Sequence, residues 1–379
     1  MIKTLQALQV YRTYFPDPPG GLQEAIRQIA YSTSNFGVRS TIFTLSPNPY
    51  PNVLSRPEAE VIRARSWAAP ASCDLGGIAA FRQFARACEE SDVVHYNFPW
   101  PFEDVLHAIV QPRIPAIMTY HSDVVRQKLL GAIYAPLMWR TLKSMRFIVA
   151  SSPAYARTSP VLSHPSIRDK VRVIPFGIAE DSYSNKSDIG IFDRIKINHA
   201  EPFFLFIGVL RYYKGLHTLV QAARRVGAKI VIAGSGPEES KLKQLAHQAD
   251  ARNVIFAGQI SDAEKVALLQ SCRALVLPSH LRSEAFGMVL VEASMFGRPM
   301  VTCEIGTGTS FVNAHEESGI VVPPEKPDML AQAMIQLLND SALAEKLGLA
   351  ARARYERLFS GAALGKAYAD LYLEASGNL

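Results

Sequence analysis

The sequence predicts an α/β protein built from two doubly wound parallel-sheet domains that face each other across a cleft. Three observations lead there. The chain has 379 residues and is 48% hydrophobic, too long for one ordinary core and suited to two domains of about 150–200 residues each. Short β-branched runs alternate with amphipathic stretches, which is the grammar of a parallel sheet covered by helices. A polar interruption in mid-chain is followed by the same alternation again.

Taken in order, the first strand is expected at residues 3–10 and the first helix from Leu22, where Ala25, Ile26, Ile29 and Ala30 recur at helical spacing. Further strands are expected at 41–45, 93–96, 116–120, 147–150 and 171–174. After Gly177 the pattern lapses into a polar stretch through Ser182, Ser184, Asn185 and Ser187, which places a domain boundary within 180–200. The second half resumes with a strand at 203–207 and a helix carrying Leu216, Leu219, Val220 and Ala223 on one face. Strands at 229–233, 254–257, 274–277 and 300–302 follow. The expected domains are 1–183 and 184–361. The last helical stretch, 362–379, carries Leu364, Tyr368, Leu371 and Tyr372 and can cross back to pack on the first domain.

Composition narrows the function classes. Cys73, Cys88, Cys272 and Cys303 form no C-x-x-C pair and have no histidines at metal-ligand spacing, so neither a zinc site nor a disulfide framework is expected. The N-terminus reads as a strand rather than a leader, and no run approaches the ~20 apolar residues of a membrane span. A cytoplasmic protein is expected, at most peripheral on the inner membrane. Residues 1–183 hold nineteen Lys and Arg against fourteen Asp and Glu, so five of the six net positive charges lie in the first half. Part of that excess is one stretch, Arg126, Lys128, Arg140, Lys143 and Arg146, interleaved with Leu129, Leu130, Tyr134, Trp139 and Phe147. It reads equally as a surface for anionic lipid and as the solvated face of a core-packed helix. No nucleic-acid partner is expected.

Residues able to carry chemistry gather after strands. Pro18, Pro19, Gly20 and Gly21 lie between the first strand and its helix; adjacent glycines let a diphosphate approach the backbone, and the helix start supplies N–H groups. No G-x-G-x-x-G is present there, which argues against a dinucleotide site. The strand at 203–207 leads into Gly208-Val209-Leu210-Arg211-Tyr212-Tyr213-Lys214-Gly215, whose arginine and lysine can neutralise both phosphates of a leaving nucleoside diphosphate. In Glu284-Ala285-Phe286-Gly287-Met288-Val289-Leu290-Val291-Glu292, the glycine marks a loop-to-helix transition. Glu284 then precedes the helix, Glu292 lies about a turn inside it, and free N–H groups lie between. One carboxylate can hold sugar hydroxyls and the other a ribose. The competing reading makes Glu284 a first-turn dipole partner and Glu292 a buried, paired acid; amid Val289, Leu290, Val291 and Ala293 that acid would need a partner.

These segments, with Thr119-Tyr120-His121 at a strand end, resemble glycosyltransferase family 4, and the resemblance spans nearly the whole chain. It implies the GT-B fold, retention of anomeric configuration and no bound metal or other cofactor. It also implies that Glu284 and the amides after Gly287 hold the donor sugar, Glu292 the ribose, and Arg211 and Lys214 the phosphates, with His121 beside the anomeric carbon. Phe286, Met288 and Val289 join the donor set. One departure is that the family commonly has arginine directly after the strand glycine, where this chain has Val209. Arg211, two residues on in an extended segment, returns to the same face. Asp123 is a weaker candidate for hydroxyl binding.

The donor base is read from Gln259-Ile260-Ser261-Asp262-Ala263-Glu264-Lys265. Ser261 and Glu264 form a capping box, leaving Asp262 free. Guanine presents two adjacent donors to a carboxylate and uracil only one; Asp262 as a first-turn acid is the competing reading. The segment also resembles that of mannosyltransferases using GDP-mannose, so a GDP-sugar is expected, with Ile260, Asp262 and Lys265 as contacts. The stretch 303–313, with Gly306, Thr307, Gly308 and Thr309, resembles that of bacterial O-antigen mannosyl- and rhamnosyltransferases and suits a phosphate-facing loop, with a plain flexible turn as the competing reading. A lipid-linked saccharide acceptor is expected on the same grounds. A UDP-sugar enzyme of the same fold, a silent nucleotide-sugar-binding partner and an epimerase are the alternatives.

Overall fold

The computed structural model describes residues 4–17, 20–69, 73–123, 128–183 and 186–377, the side chains of 128–133 excepted. Two units part between Ala179 and Glu180: Met1–Ala179 with Gly361–Leu379, and Glu180–Ser360.

The first unit carries strands β1 (Leu5–Val10), β2 (Val38–Ser46), β3 (Val53–Ser55), β4 (Glu60–Ala68), β5 (Leu75–Gly76), β6 (Val93–Phe98), β7 (Ala116–Tyr120), β8 (Phe147–Ala150) and β9 (Val171–Val173). Its helices are α1 (Gly21–Ser34), α2 (Ile78–Glu89), α3 (Pro101–Val110), α4 (Lys128–Ser144) and α5 (Pro153–Thr158). The sheet order is β3-β4-β2-β1-β6-β7-β8-β9, with β5 beside β4. Only β3 and β5 run antiparallel to their neighbour β4. The chain winds outward from β1 in one direction and then, from β6, in the other, so the strand order reverses between β1 and β6. In such sheets ligands bind outside the carboxyl ends of the strands at that reversal.

The second unit repeats the scheme with α6 (Gly190–Ile195), β10 (Phe203–Ile207), α7 (Leu216–Ala223), β11 (Lys229–Ala233), α8 (Glu239–Gln248), β12 (Val254–Gly258), α9 (Asp262–Ser271), β13 (Ala274–Leu277), α10 (Met288–Met295), β14 (Met300–Cys303), α11 (Thr309–Val312), β15 (Gly319–Val322), α12 (Pro327–Asn339) and α13 (Ser341–Arg354). The order β12-β11-β10-β13-β14-β15 is parallel throughout and reverses between β10 and β13. Phe203, Phe204, Leu205 and Phe206 of β10 are all fully buried, as expected of a strand covered on both faces.

The last helix, α14 (Gly361–Ser376), belongs to the first unit. Leu364, Tyr368, Leu371 and Tyr372 share a core with Leu5, Ala7, Ile29 and Val93. Polar contacts fix its register: the Tyr372 hydroxyl lies 2.8 Å from Gln9 Nε2 and 2.7 Å from His95 Nδ1, and the Tyr368 hydroxyl 2.9 Å from Thr119 Oγ1.

The basic stretch divides along its length. Arg126 lies outside the described residues, as do the side chains of Lys128, Leu129 and Leu130. Tyr134 and Trp139 pack against the first unit's core, and Phe147 belongs to β8 rather than to the helix. The exposed side chains are Arg140, Lys143 and Arg146. The aromatics that could have entered a lipid surface are thus packed inward. Among the described residues no helix is long and apolar enough to cross a membrane.

Candidate active site

The second unit's reversal point joins the two loops singled out by sequence. One follows β10 and ends at Gly215, which has φ +69° and sits so close to its neighbour that a Cβ there would lie 2.0 Å from the Pro278 carbonyl oxygen. Only glycine fits. The other follows β13 and ends at Gly287, the residue before α10, with φ +84° and no side-chain cap on the helix start. The amides of Met288 and Val289 open that helix.

Lys214 and Glu284 come from these two loops and are bonded to each other, Nζ to Oε2. Their side chains are 12% and 10% exposed. Ser279 Oγ donates to the same carboxylate oxygen at 3.3 Å, so Oε1 has no partner among the described residues. Burial alone would lower the Lys214 pKa, but the adjoining Glu284 carboxylate outweighs it and the net shift is upward. The lysine is charged at neutral pH.

The second unit holds another lysine–acid pair. Lys265, in α9, donates to Glu292 Oε1 at 3.0 Å, stands 3.5 Å from Asp262 Oδ1 and lies over the Tyr183 ring at 4.7 Å. Burial pulls its pKa down while Glu292 and Asp262 pull it up, and the carboxylates win. The partner required by an acid among Val289, Leu290, Val291 and Ala293 is therefore Lys265. Glu292 Oε2 has no partner among the described residues. Ser261 and Glu264 form the expected capping box, and the Asp262 side chain is 81% exposed. Ile260 is half-buried beside it.

Arg211 is exposed, and its side chain has no partner among the described residues. Val209, where the family commonly has arginine, is 51% exposed. Phe286 is not available as a side chain: it is 3% exposed and packs edge-to-face with Phe359 at 6.2 Å, which leaves its backbone. In the stretch 303–313 two hydroxyls turn inward: Thr307 Oγ1 donates to the Glu284 carbonyl at 2.8 Å and Thr309 Oγ1 to the Cys303 carbonyl at 3.4 Å. With the Gly308 amide on the Ala285 carbonyl at 2.8 Å, this loop buttresses the one that carries Glu284. Sequence spacing missed Ser279 and Thr307; the ends of adjacent parallel strands were the available signal.

In the first unit, Gly20 precedes α1 with an extended backbone, φ −156°, and a Cβ on Gly21 would meet nothing within 4 Å. Pro18 and Pro19 lie outside the described residues. His121 follows β7, is 5% exposed and stacks on Phe176 at 5.1 Å. Its Nε2 lies 3.0 Å from Asn97 Oδ1. The Asn97 amide nitrogen is committed to Gln9 Oε1 and the Val10 carbonyl, so Oδ1 accepts, Nε2 carries the proton and Nδ1 is the acceptor. Burial pushes the His121 pKa down to about 3. Asp123 is occupied, accepting from Ser159 Oγ at 2.6 Å and from the Tyr120 hydroxyl at 3.2 Å.

The chain matches two family descriptions, "Glycosyltransferase Family 4" over residues 19–182 and "Glycosyl transferases group 1" over residues 189–354. It is 43% identical to the D-rhamnosyltransferase WbpZ of Pseudomonas aeruginosa, over 94% of this chain and 92% of that protein. It is 39% identical to the O-antigen chain mannosyltransferase C of Escherichia coli, over 97% and 98%. Among solved structures, the sucrose-phosphate synthase of Thermosynechococcus elongatus superposes with a TM-score of 0.79 at 23% identity, covering 99% of this chain and all of that one. Two parallel-sheet units, each with its motif loops at a strand-order reversal and matched at this identity over nearly their whole length, make the chain a glycosyltransferase of family 4 with the GT-B fold.

Proposed function

We propose that this glycosyltransferase is a retaining hexosyltransferase, moving mannose or rhamnose from a GDP-sugar to a lipid-linked saccharide in bacterial cell-surface polysaccharide synthesis without a catalytic metal. The observation that carries the reading is the pair of lysine–acid contacts. Glu284 and Glu292 each have one oxygen fixed by a lysine and the other open, so each is oriented and still able to accept hydroxyls. Glu284 Oε1 takes the hexose and Glu292 Oε2 the ribose. Lys214 and Arg211 take the diphosphate with the amides of Gly287, Met288 and Val289, and Gly20 and Gly21 offer a close backbone approach. Asp262 accepts from guanine N1–H and its amino group, beside Ile260 and Lys265. The choice of sugar is supported by the activities for which the two bacterial relatives are named.

The acceptor hydroxyl attacks the anomeric carbon on the face from which the diphosphate departs. The bond from that carbon to the phosphate oxygen breaks, the new glycosidic bond forms, and the hydroxyl proton passes to the leaving β-phosphate. Charge develops on that phosphate, where a fixed ammonium such as Lys214 stabilises it. His121, held neutral by burial, keeps Nδ1 as an acceptor for a substrate hydroxyl.

Calorimetry with GDP and UDP tests the base reading: tighter GDP binding supports it, and UDP binding at least as tightly overturns it. For the membrane surface, Arg140, Lys143 and Arg146 supply the contact on the cytoplasmic face. Flotation with anionic but not neutral vesicles is expected, and equal flotation with both rejects that contact.

A further inference from the structure

The two loops that carry Lys214 and Glu284 hold a second cluster. His217 stands in the first turn of α7, two residues after Gly215. His280 lies after β13, four residues before Glu284, and Glu325 follows β15. Their ligand-capable atoms all lie within 4.8 Å of one another. His280 is 9% exposed, and both of its ring nitrogens are buried without a hydrogen-bond partner. An imidazole is rarely left in that condition, because each buried polar atom normally finds a donor or acceptor.

The surroundings fix its place. The His280 amide donates to the Tyr213 carbonyl at 3.0 Å. Its ring stands nearly perpendicular to those of Tyr212 and His217, at 4.8 and 5.0 Å. Glu325 is exposed and has no partner among the described residues.

We propose that His217, His280 and Glu325 form a site for one divalent transition-metal ion, with Zn2+ the ion that two imidazoles and a carboxylate suit best. Tetrahedral zinc with bonds of 2.0–2.1 Å sets its ligand atoms about 3.3 Å apart. The ligand atoms, now within 4.8 Å of one another, therefore draw together by up to about 1.5 Å on binding. The ion ties the start of α7 to the loop before α10 and clamps the two loops that bear Lys214 and Glu284. Its test reads metal binding and not sugar transfer, so failure of this site is distinguishable from failure of the proposed transfer reaction.

The test uses the full-length protein, stripped with EDTA, dialysed and titrated with Co2+ and then Zn2+. One Co2+ per chain is expected, with visible d–d absorption of a four-coordinate ion, displacement by Zn2+ and a raised thermal midpoint. His280→Phe keeps the ring packing against Tyr212 and His217 but removes the ligand nitrogens. In it, and in His217→Phe, Co2+ should bind more than about tenfold more weakly, since even outer partners of a metal site contribute that much. If His280→Phe does not fold, His217→Phe and Glu325→Gln, both altered at less buried positions, carry the same comparison. No stoichiometric Co2+ or Zn2+ on the native protein, or unchanged affinity in the variants, overturns the proposal.

Discussion

Replacing Lys214 by Met removes the ammonium from Glu284 and leaves a carboxylate of 10% side-chain exposure with only Ser279 Oγ as a donor. Breaking one half of a buried pair costs about 3–5 kcal/mol because the remaining charge is uncompensated. The open Oε1 suggests the lower end, about 3 kcal/mol. Glu284→Gln strands the lysine instead and should cost a similar amount. The double variant has no stranded charge and should be more stable than either single one, a coupling of about 2 kcal/mol or more. The assay must look at the correct unit. Trp67, Trp100 and Trp139 all lie in the first unit, so tryptophan fluorescence is blind to the change. Amide exchange in peptides covering β10 and β13 should accelerate on the order of 100-fold in the single variants and recover in the double. The pH sign is fixed as well. The folded Lys214 pKa lies above its ordinary 10.5, so the contribution of the pair is complete below that value and is lost only as the pH climbs through the higher folded one. The cost should therefore be flat through neutral pH. Additive single and double effects, or native exchange rates in Lys214→Met, would refute the desolvation argument.

Other outcomes follow from the same contacts. Tyr372→Phe strands Gln9 Nε2 and His95 Nδ1 inside the first unit, and urea unfolding read by tryptophan fluorescence should show a loss of about 1–3 kcal/mol. Burial, assisted in His95 by the proximity of His121, brings both histidines from 6.5 down to about 3. Between those values the unfolded chain binds protons that the folded one does not, so stability falls as the pH drops below 6.5. At pH 5 the loss is up to about 2 kcal/mol per histidine, and His95→Gln should remove about half of the combined slope. Asp262→Ala should weaken GDP binding about tenfold, as loss of a charged hydrogen-bond acceptor does, while leaving UDP binding unchanged by calorimetry; equal losses for both nucleotides would assign Asp262 a role other than base reading.

Most strands were legible because burial on both faces writes them as short apolar runs; β7, β8, β10, β11 and β13 fall where periodicity places them, residue for residue. The strand β4 was not, since Glu60, Arg63 and Arg65 break its run. Arg63 is nevertheless 4% exposed, its guanidinium bonded to Ser46 Oγ at 2.8 Å and to the Asn48 carbonyl at 2.7 Å. A buried polar network reads as a loop when only hydrophobicity is counted. At the site, the helix start between Glu284 and Glu292 and the capping box at Ser261 were visible because glycine and capping chemistry are local. The pairing of Lys214 with Glu284 and of Lys265 with Glu292 was not, because the first joins the loops after two strands and the second joins two helices, each pair being well separated in the chain. The same limit hid the inward turn of Thr307 and the meeting of His217, His280 and Glu325.

The most direct test of the donor site is transfer from GDP-mannose and GDP-rhamnose to a lipid-linked saccharide acceptor by the native protein and by Glu284→Gln, at a temperature where both are folded, with the anomeric configuration of the product read by NMR. The expected result is retention of configuration by the native protein and a rate at least about 100-fold lower in the variant, the scale of losing a group that fixes the transition state. Inversion of configuration, turnover of UDP-sugars alone, or a native rate in Glu284→Gln would contradict it.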